Sequence, residues 1–98
     1  MSETYTFPQL RALVAPVAKR FGVKKVYAFG SYGRQQATPA SDLDIRIEKG
    51  KIHTLFELAD FRLTLEETLE IPVDVVTSDI QDKQFLENIA ADEVLIYG

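Results

Sequence analysis

The sequence has 98 residues, 46% hydrophobic and 27% charged, which is typical of a soluble globular chain that forms one domain over residues 1–98. It contains no cysteine, which excludes disulfides and thiolate metal sites. Its formal net charge of −4 argues against binding to extended DNA or RNA. No apolar run approaches the roughly 18 residues of a membrane span, and we expect no signal peptide, because Met1-Ser2-Glu3-Thr4 lacks the pattern of one. We therefore expect a cytoplasmic protein with no membrane partner.

The first predicted elements are a helix and a strand. Thr6 is the expected N-cap of the helix, Gly22 its end, and Pro16 is expected to bend it. Lys25–Phe29 is rich in β-branched and aromatic residues and ends at a glycine. This pattern predicts a strand that runs directly into a Gly-Ser turn.

The turn contains Gly30, Ser31 and Arg34. A strand that leads through a glycine turn into a short helix leaves backbone N–H groups unpaired, and these groups and the Ser31 hydroxyl can bind an anion. Arg34 follows Ser31 by three residues, so both point to the same side of a helical turn. Its guanidinium suits a triphosphate or an acidic cluster, and a surface ion pair is the alternative. The turn therefore predicts a phosphate site.

The next predicted strand, Asp42 to Ile47, has two faces of different character. The period of two places Asp42, Asp44 and Arg46 on one face and apolar residues on the other. The two carboxylates lie roughly 6–7 Å apart at the backbone, where they repel unless they share a divalent cation. Because Mg²⁺ prefers a few carboxylates together with phosphate oxygens, the strand predicts a nucleoside triphosphate beside it.

A long helix is predicted from about His53 to Glu70. Its apolar arc is wider than one stripe against a sheet requires. Part of this arc either meets another chain or is covered by other helices of the same fold, and the sequence leaves both readings open.

A third acid, Asp74, occurs in the predicted strand Val73–Thr77, which begins after Ile71-Pro72. An ionised Asp in an apolar strand is costly unless it has a partner, and a metal ion would be such a partner. If this strand lies next to the Asp42 strand, the three acids suit two metal ions.

The remaining residues predict one more helix and one more strand. Ser78 and Gln81 resemble a capping box before a short amphipathic helix that contains Phe85 and Ile89, and Glu93–Tyr97 is the last predicted strand. The order of elements predicts an α+β fold with a small mixed β-sheet, helices packed on one face and the acidic face open.

The motif Gly30-Ser31-x-x-Arg34, followed by Ser41-Asp42-Leu43-Asp44 and the later Asp74, resembles the signature of the DNA polymerase β-like nucleotidyltransferases. More narrowly, the chain resembles the minimal nucleotidyltransferases (MNT), which are commonly the antitoxin partners of HEPN-domain toxins. The resemblance covers nearly the whole chain. There are two departures: Gly33 stands where the family usually has Ala, and Gln35 where Gly often follows the Arg.

The resemblance implies a polymerase β-like fold and transfer of AMP from ATP to a hydroxyl, most plausibly a tyrosine, of a partner HEPN toxin that is thereby silenced. Asp42, Asp44 and Asp74 would be the catalytic residues and the ligands of two Mg²⁺ ions. Gly30, Ser31 and Arg34 would bind the nucleotide. Apart from the resemblance, the broad apolar arc of the predicted helix from His53 to Glu70 favours a homo- or hetero-oligomer, in which the chain associates with itself or with a helical partner.

Two other functions remain open at this point. The chain would be an antitoxin that neutralises its partner by binding alone, although three acids in strands are a liability without a metal. Alternatively it would transfer a nucleotide to a small molecule, which usually requires a further domain that 98 residues do not provide.

Overall fold

Four strands and four helices make up the part of the chain, residues 4–80 and 82–98, that the computed structural model describes. In chain order they are α1 (Phe7–Phe21), β1 (Lys25–Phe29), α2 (Gly30–Gly33), β2 (Leu43–Glu48), α3 (Leu55–Leu69), β3 (Val73–Thr77), α4 (Lys83–Ala90) and β4 (Val94–Tyr97). The predicted α+β class with a small mixed sheet is confirmed. None of the helices in these two ranges has the length and apolar character needed to cross a membrane.

The strands form a single sheet in the order β3-β2-β1-β4. β1 runs antiparallel to both β2 and β4, whereas β2 and β3 are parallel. Parallel neighbours need a crossover connection, and α3 provides it. The register places Asp44 opposite Phe29 on one side and opposite Asp74 on the other. The sheet therefore sets the end of β1 and two of the predicted acids side by side.

The ends of α1 and α3 follow directly from their sequences. Thr6 caps α1 in a reciprocal capping box with Gln9, and Gly22 ends the helix with φ +70°, as predicted. α1 continues as one helix through Pro16. α3 starts later than predicted, at Leu55, because the side chain of Thr54 accepts a hydrogen bond from the Glu57 N–H and caps the helix.

The core lies on the face of the sheet that α1 and α3 cover. The fully buried side chains on this face include Leu10, Val14, Val26, Ile45, Ile47, Phe61 and Leu65. The rings of Phe21 and Phe61 meet edge to face at 5.6 Å and join the two helices. The opposite face carries Phe29 and Asp44, and α4 places Phe85 in edge-to-face contact with Phe29 at 6.2 Å.

The predicted capping role of Ser78 is wrong. α4 is capped by Asp82, whose carboxylate accepts the Phe85 N–H at 3.0 Å. The Ser78 hydroxyl instead donates to the Ile47 carbonyl at 2.9 Å and accepts from Arg46. Gln81, the other half of the predicted box, lies outside the described residues.

The wide apolar arc of α3 divides into two parts. Phe61, Leu65 and Leu69 are buried against the sheet, whereas Leu55 and Phe56 are 83% and 87% exposed. Within residues 4–80 and 82–98, no helix therefore covers the start of α3.

Candidate active site

The turn after β1 brings the backbone close to an acid. Gly30 has φ +64°, and a Cβ at this position would lie 2.6 Å from Oδ2 of Asp44. Both features require glycine, because side chains disfavour a positive φ and the carboxylate occupies the space. Ser31 is the second residue of the single-turn helix α2, and the Arg34 N–H closes that turn on the Gly30 carbonyl at 2.9 Å. The predicted phosphate site thus adjoins Asp44.

Asp44 and Asp74 form the centre of the acidic cluster. They are register partners on parallel strands, which lie about 4.8 Å apart. Burial raises the pKa of Asp44 to about 6, with further contributions from the charge of Asp74, from hydrogen bonding between the two carboxyl groups and from the charge of Asp42. The Arg34 charge acts in the opposite direction. Negative charge is therefore in excess at this point of the sheet.

Asp74 is not in the environment that its apolar neighbours suggest. β3 is an edge strand, and Asp74 is exposed to solvent, so burial does not make its charge costly. The start of β3 is held on two sides: the Val73 N–H donates to the Glu66 carboxylate, and the Leu43 N–H donates to the Pro72 carbonyl, both at 2.9 Å. These contacts fix the register that places Asp74 beside Asp44.

Asp42 lies one residue before β2 and is exposed. Within the two described ranges, no three His, Cys, Asp or Glu side chains are already gathered as a metal-binding group. The carboxylates nevertheless fit a divalent cation, because Asp44 and Asp74 offer adjacent oxygen donors and an excess of negative charge. Mg²⁺ is usually bound by a few carboxylates together with phosphate oxygens, and protein groups alone seldom supply all of its ligands.

Arg34, which follows α2, and Arg46 of β2 bind two consecutive acids between α4 and β4, namely Asp92 and Glu93. Arg34 Nη1 lies 2.9 Å from Asp92 Oδ2. Arg46 forms a two-point pair with Glu93, with Nη2 donating to Oε1 at 3.0 Å, and its guanidinium lies 4.3 Å from the centre of the Tyr27 ring. The hydrogen bonds that Arg46 donates to Glu93 raise the pKa of Arg46 above its ordinary value. Neither acid was predicted as part of the site, because the chain holds 15 Asp and Glu residues and no local pattern distinguishes these two.

The structure explains the first departure from the family motif and shows strain at the second. A Cβ on Gly33 would lie 2.1 Å from the Asp92 carbonyl oxygen, so the usual Ala does not fit unless the turn moves. Gln35 has φ +57°, the left-handed backbone conformation that glycine adopts without strain. The loop therefore keeps the backbone shape that a glycine would favour.

The site defines a class of protein. Residues 13–98 match the family model of polymerase beta nucleotidyltransferases, and the chain belongs to this family. It is therefore a nucleotidyltransferase.

Three similar proteins have more specific descriptions than the family. A Methanocaldococcus jannaschii protein, named as a candidate protein adenylyltransferase, is 36% identical over 69 residues, which cover 70% of this chain and 74% of that protein. A solved structure described as a candidate minimal nucleotidyltransferase superimposes with a TM-score of 0.77 at 27% identity, over 94% of this chain and 97% of the other. A chain from the structure of a tri-AMPylated Shewanella oneidensis HEPN toxin with an MNT antitoxin has a TM-score of 0.72 at 15% identity, over 95% and 73% of the two chains, and shares the fold.

Proposed function

We propose that this chain uses Mg²⁺ to transfer AMP from ATP to a hydroxyl group of a partner protein. The observation that carries the proposal is the pair of register partners Asp44 and Asp74 beside the Gly30 turn. This arrangement supplies adjacent carboxylates for a divalent cation next to backbone N–H groups for phosphate. The relative named as a candidate protein adenylyltransferase supports a protein as the acceptor.

Each residue of the site has a role in this reaction. Gly30 and Ser31 bind the phosphates through the start of α2, and Arg34 neutralises part of their charge. Asp42, Asp44 and Asp74 hold Mg²⁺, which when bound stabilises the charge that develops on the phosphoryl oxygens. Because Asp74 is exposed at the edge of the sheet, a hydroxyl from another molecule can reach it.

At the α-phosphorus the reaction forms one bond and breaks one. The acceptor oxygen attacks the α-phosphorus, the bond from that phosphorus to the bridging oxygen of the β-phosphate breaks, and pyrophosphate leaves. The acceptor loses its proton to the Asp74 carboxylate, which passes it to solvent. No residue of this chain becomes covalently modified.

The acceptor that we infer is a tyrosine of a HEPN-type toxin, which the transfer silences, in the cytoplasm. The fold shared with a chain from the complex of an AMPylated HEPN toxin and its MNT antitoxin supports this choice. In this role the chain is an antitoxin that acts by chemistry rather than by contact alone.

The exposed start of α3 is the surface that we propose for this partner. Leu55 and Phe56 stand clear of the sheet, and the exposed acids Glu57 and Asp60 flank them. A second copy of the chain docked through the same surface would bring further acids to an interface that is already negative, which is unfavourable. An apolar surface with a basic rim on the toxin fits better.

The test is to incubate the purified chain with its co-expressed HEPN-type partner, ATP and Mg²⁺, and to weigh the partner by mass spectrometry. We expect the partner to gain one or more AMP groups when it is incubated with the wild-type chain, and none when it is incubated with Asp44→Asn. An unmodified partner that both proteins neutralise equally would show that the chain acts by binding. An unmodified partner that neither protein neutralises would leave transfer to a small molecule as the better account.

A further inference from the structure

Asp92 belongs to the segment Asp92–Glu93, here called the 92–93 turn, and forms an ion pair with Arg34. The Asp92 carboxylate accepts a hydrogen bond from Nη1 of Arg34 at 2.9 Å, and the Gln36 side-chain oxygen accepts one from Nε at 3.3 Å. Among the described residues, none accepts a hydrogen bond from Nη2 of Arg34. A guanidinium held at two nitrogens and open at the third is oriented for an additional anion.

The 92–93 turn is itself firmly attached to the sheet and to α2. Glu93 is tied to Arg46 of β2, and both side chains are largely buried, with exposures of 12% and 17%. The Asp92 carbonyl packs against Gly33 so closely that a Cβ there would lie 2.1 Å away. The Asp92 carboxylate is therefore presented to Arg34 from a rigid support.

We propose that Asp92 is a positioning residue, which holds the Arg34 side chain ready to bind the triphosphate. The inference rests on the proposed nucleotide-binding role of Arg34. A free arginine loses rotamer freedom when it binds a ligand, and this loss weakens binding. In this protein the Arg34 side chain is ordered when the chain folds, so ATP binds to a guanidinium that is already in place.

The alternative is that Asp92 competes with phosphate for Arg34 and must be displaced. The geometry favours positioning over competition. Within residues 4–80 and 82–98, no group accepts a hydrogen bond from Nη2 while Asp92 accepts one from Nη1, so an anion can bind Arg34 without displacing Asp92.

The two accounts predict opposite signs for Asp92→Ala. Competition predicts tighter ATP binding, and so does the simple removal of a negative charge near the site. Positioning predicts that Asp92→Ala weakens the binding of ATP with Mg²⁺, and of inorganic tripolyphosphate with Mg²⁺, by about three- to tenfold in calorimetry. Asp92→Asn, whose amide oxygen still accepts from Nη1, should recover part of the affinity.

A double-mutant cycle with Arg34→Ala makes the test specific. If Asp92 acts through Arg34, the double variant binds ATP no more weakly than Arg34→Ala alone. Asp79→Ala is the matched control, because it removes one carboxylate from the exposed pair of Lys49 and Asp79 and changes the net charge equally. It should alter the affinity less than twofold, and thermal unfolding of each variant confirms that it is folded.

Several results would overturn the inference. Tighter binding by Asp92→Ala and Asp92→Asn would favour competition, and equal binding would show that Asp92 neither positions Arg34 nor competes for it. A further loss on top of Arg34→Ala would show that Asp92 acts independently. Unchanged affinity in Arg34→Ala, while the wild-type protein binds ATP, would refute the inference and leave the proposed transfer reaction standing. If the wild-type protein fails to bind ATP with Mg²⁺, both are refuted.

Discussion

Replacing Asp44 by Asn should stabilise the protein at pH 7 when divalent cations are absent. The side chain keeps its size and its hydrogen bonding, but the charge that burial and Asp74 oppose is removed. The same change should abolish nucleotide transfer, since an amide is a poor ligand for Mg²⁺. Stability and activity therefore move in opposite directions.

The magnitude follows from the pKa of Asp44. A rise from 3.8 to about 6 would correspond to about 3 kcal/mol for a fully desolvated group. Because Asp44 is only half-buried, solvent screens part of this penalty, and we expect about 1 kcal/mol. For a domain of this size the unfolding temperature then rises by about 4–8 °C.

The effect of Asp44 on the free energy of unfolding depends on pH. The folded protein holds the Asp44 proton more tightly than the unfolded chain, so this group lowers the free energy of unfolding progressively as the pH rises from 3.8 to about 6, and fully above that. The advantage of Asp44→Asn is thus largest at neutral pH and vanishes below about pH 4.

Thermal unfolding in EDTA at pH 4, 5, 6 and 7 measures the effect. Asp60→Asn is the control, because it removes one exposed acid of α3 and leaves the acidic cluster unchanged. The reasoning fails if Asp44→Asn is no more stable than the wild-type protein at neutral pH, or if its advantage is the same at pH 4.

Three further substitutions test other parts of the structure. Gln35→Gly should raise the free energy of unfolding by about 0.5–1 kcal/mol in urea titrations, because it relieves the left-handed φ of +57°; a decrease would contradict the assigned strain. Glu93→Ala should lower it by about 3 kcal/mol, because Arg46 would remain largely buried without its partner; a change below 0.5 kcal/mol would show that the pair is solvated. Phe56→Glu should leave the unfolding temperature within error but weaken binding to the HEPN-type partner at least tenfold by light scattering and calorimetry; unchanged affinity would place the interface elsewhere.

Local patterns in the sequence predicted the elements well. Thr6 and Gly22 mark the ends of α1 because caps are satisfied by residues a few positions away. The alternation in β2 correctly separated Asp44 from the buried Ile45. Both signals depend only on neighbours in the chain.

Relations between distant segments were not predictable in the same way. The position of Asp74 opposite Asp44 depends on a parallel register that the crossover helix and the Pro72–Leu43 hydrogen bond determine. Its exposure depends on β3 being an edge strand, which the apolar pattern of Val73–Thr77 does not reveal. The pairing of Asp92 with Arg34 spans 58 positions, and no local pattern of charge indicates it.

The order of strands also has a consequence for synthesis of the chain. β1 is central in the sheet, yet its partner β4 leaves the ribosome last of the four strands: Tyr97 pairs with Val26, about 70 positions earlier. At typical elongation rates the outer edge of β1 therefore waits on the order of several seconds for β4. During that time the backbone groups of Tyr27 that later face Leu95 are open to strands of other chains. Efficient production of this protein thus depends on keeping nascent chains apart until β4 closes the sheet.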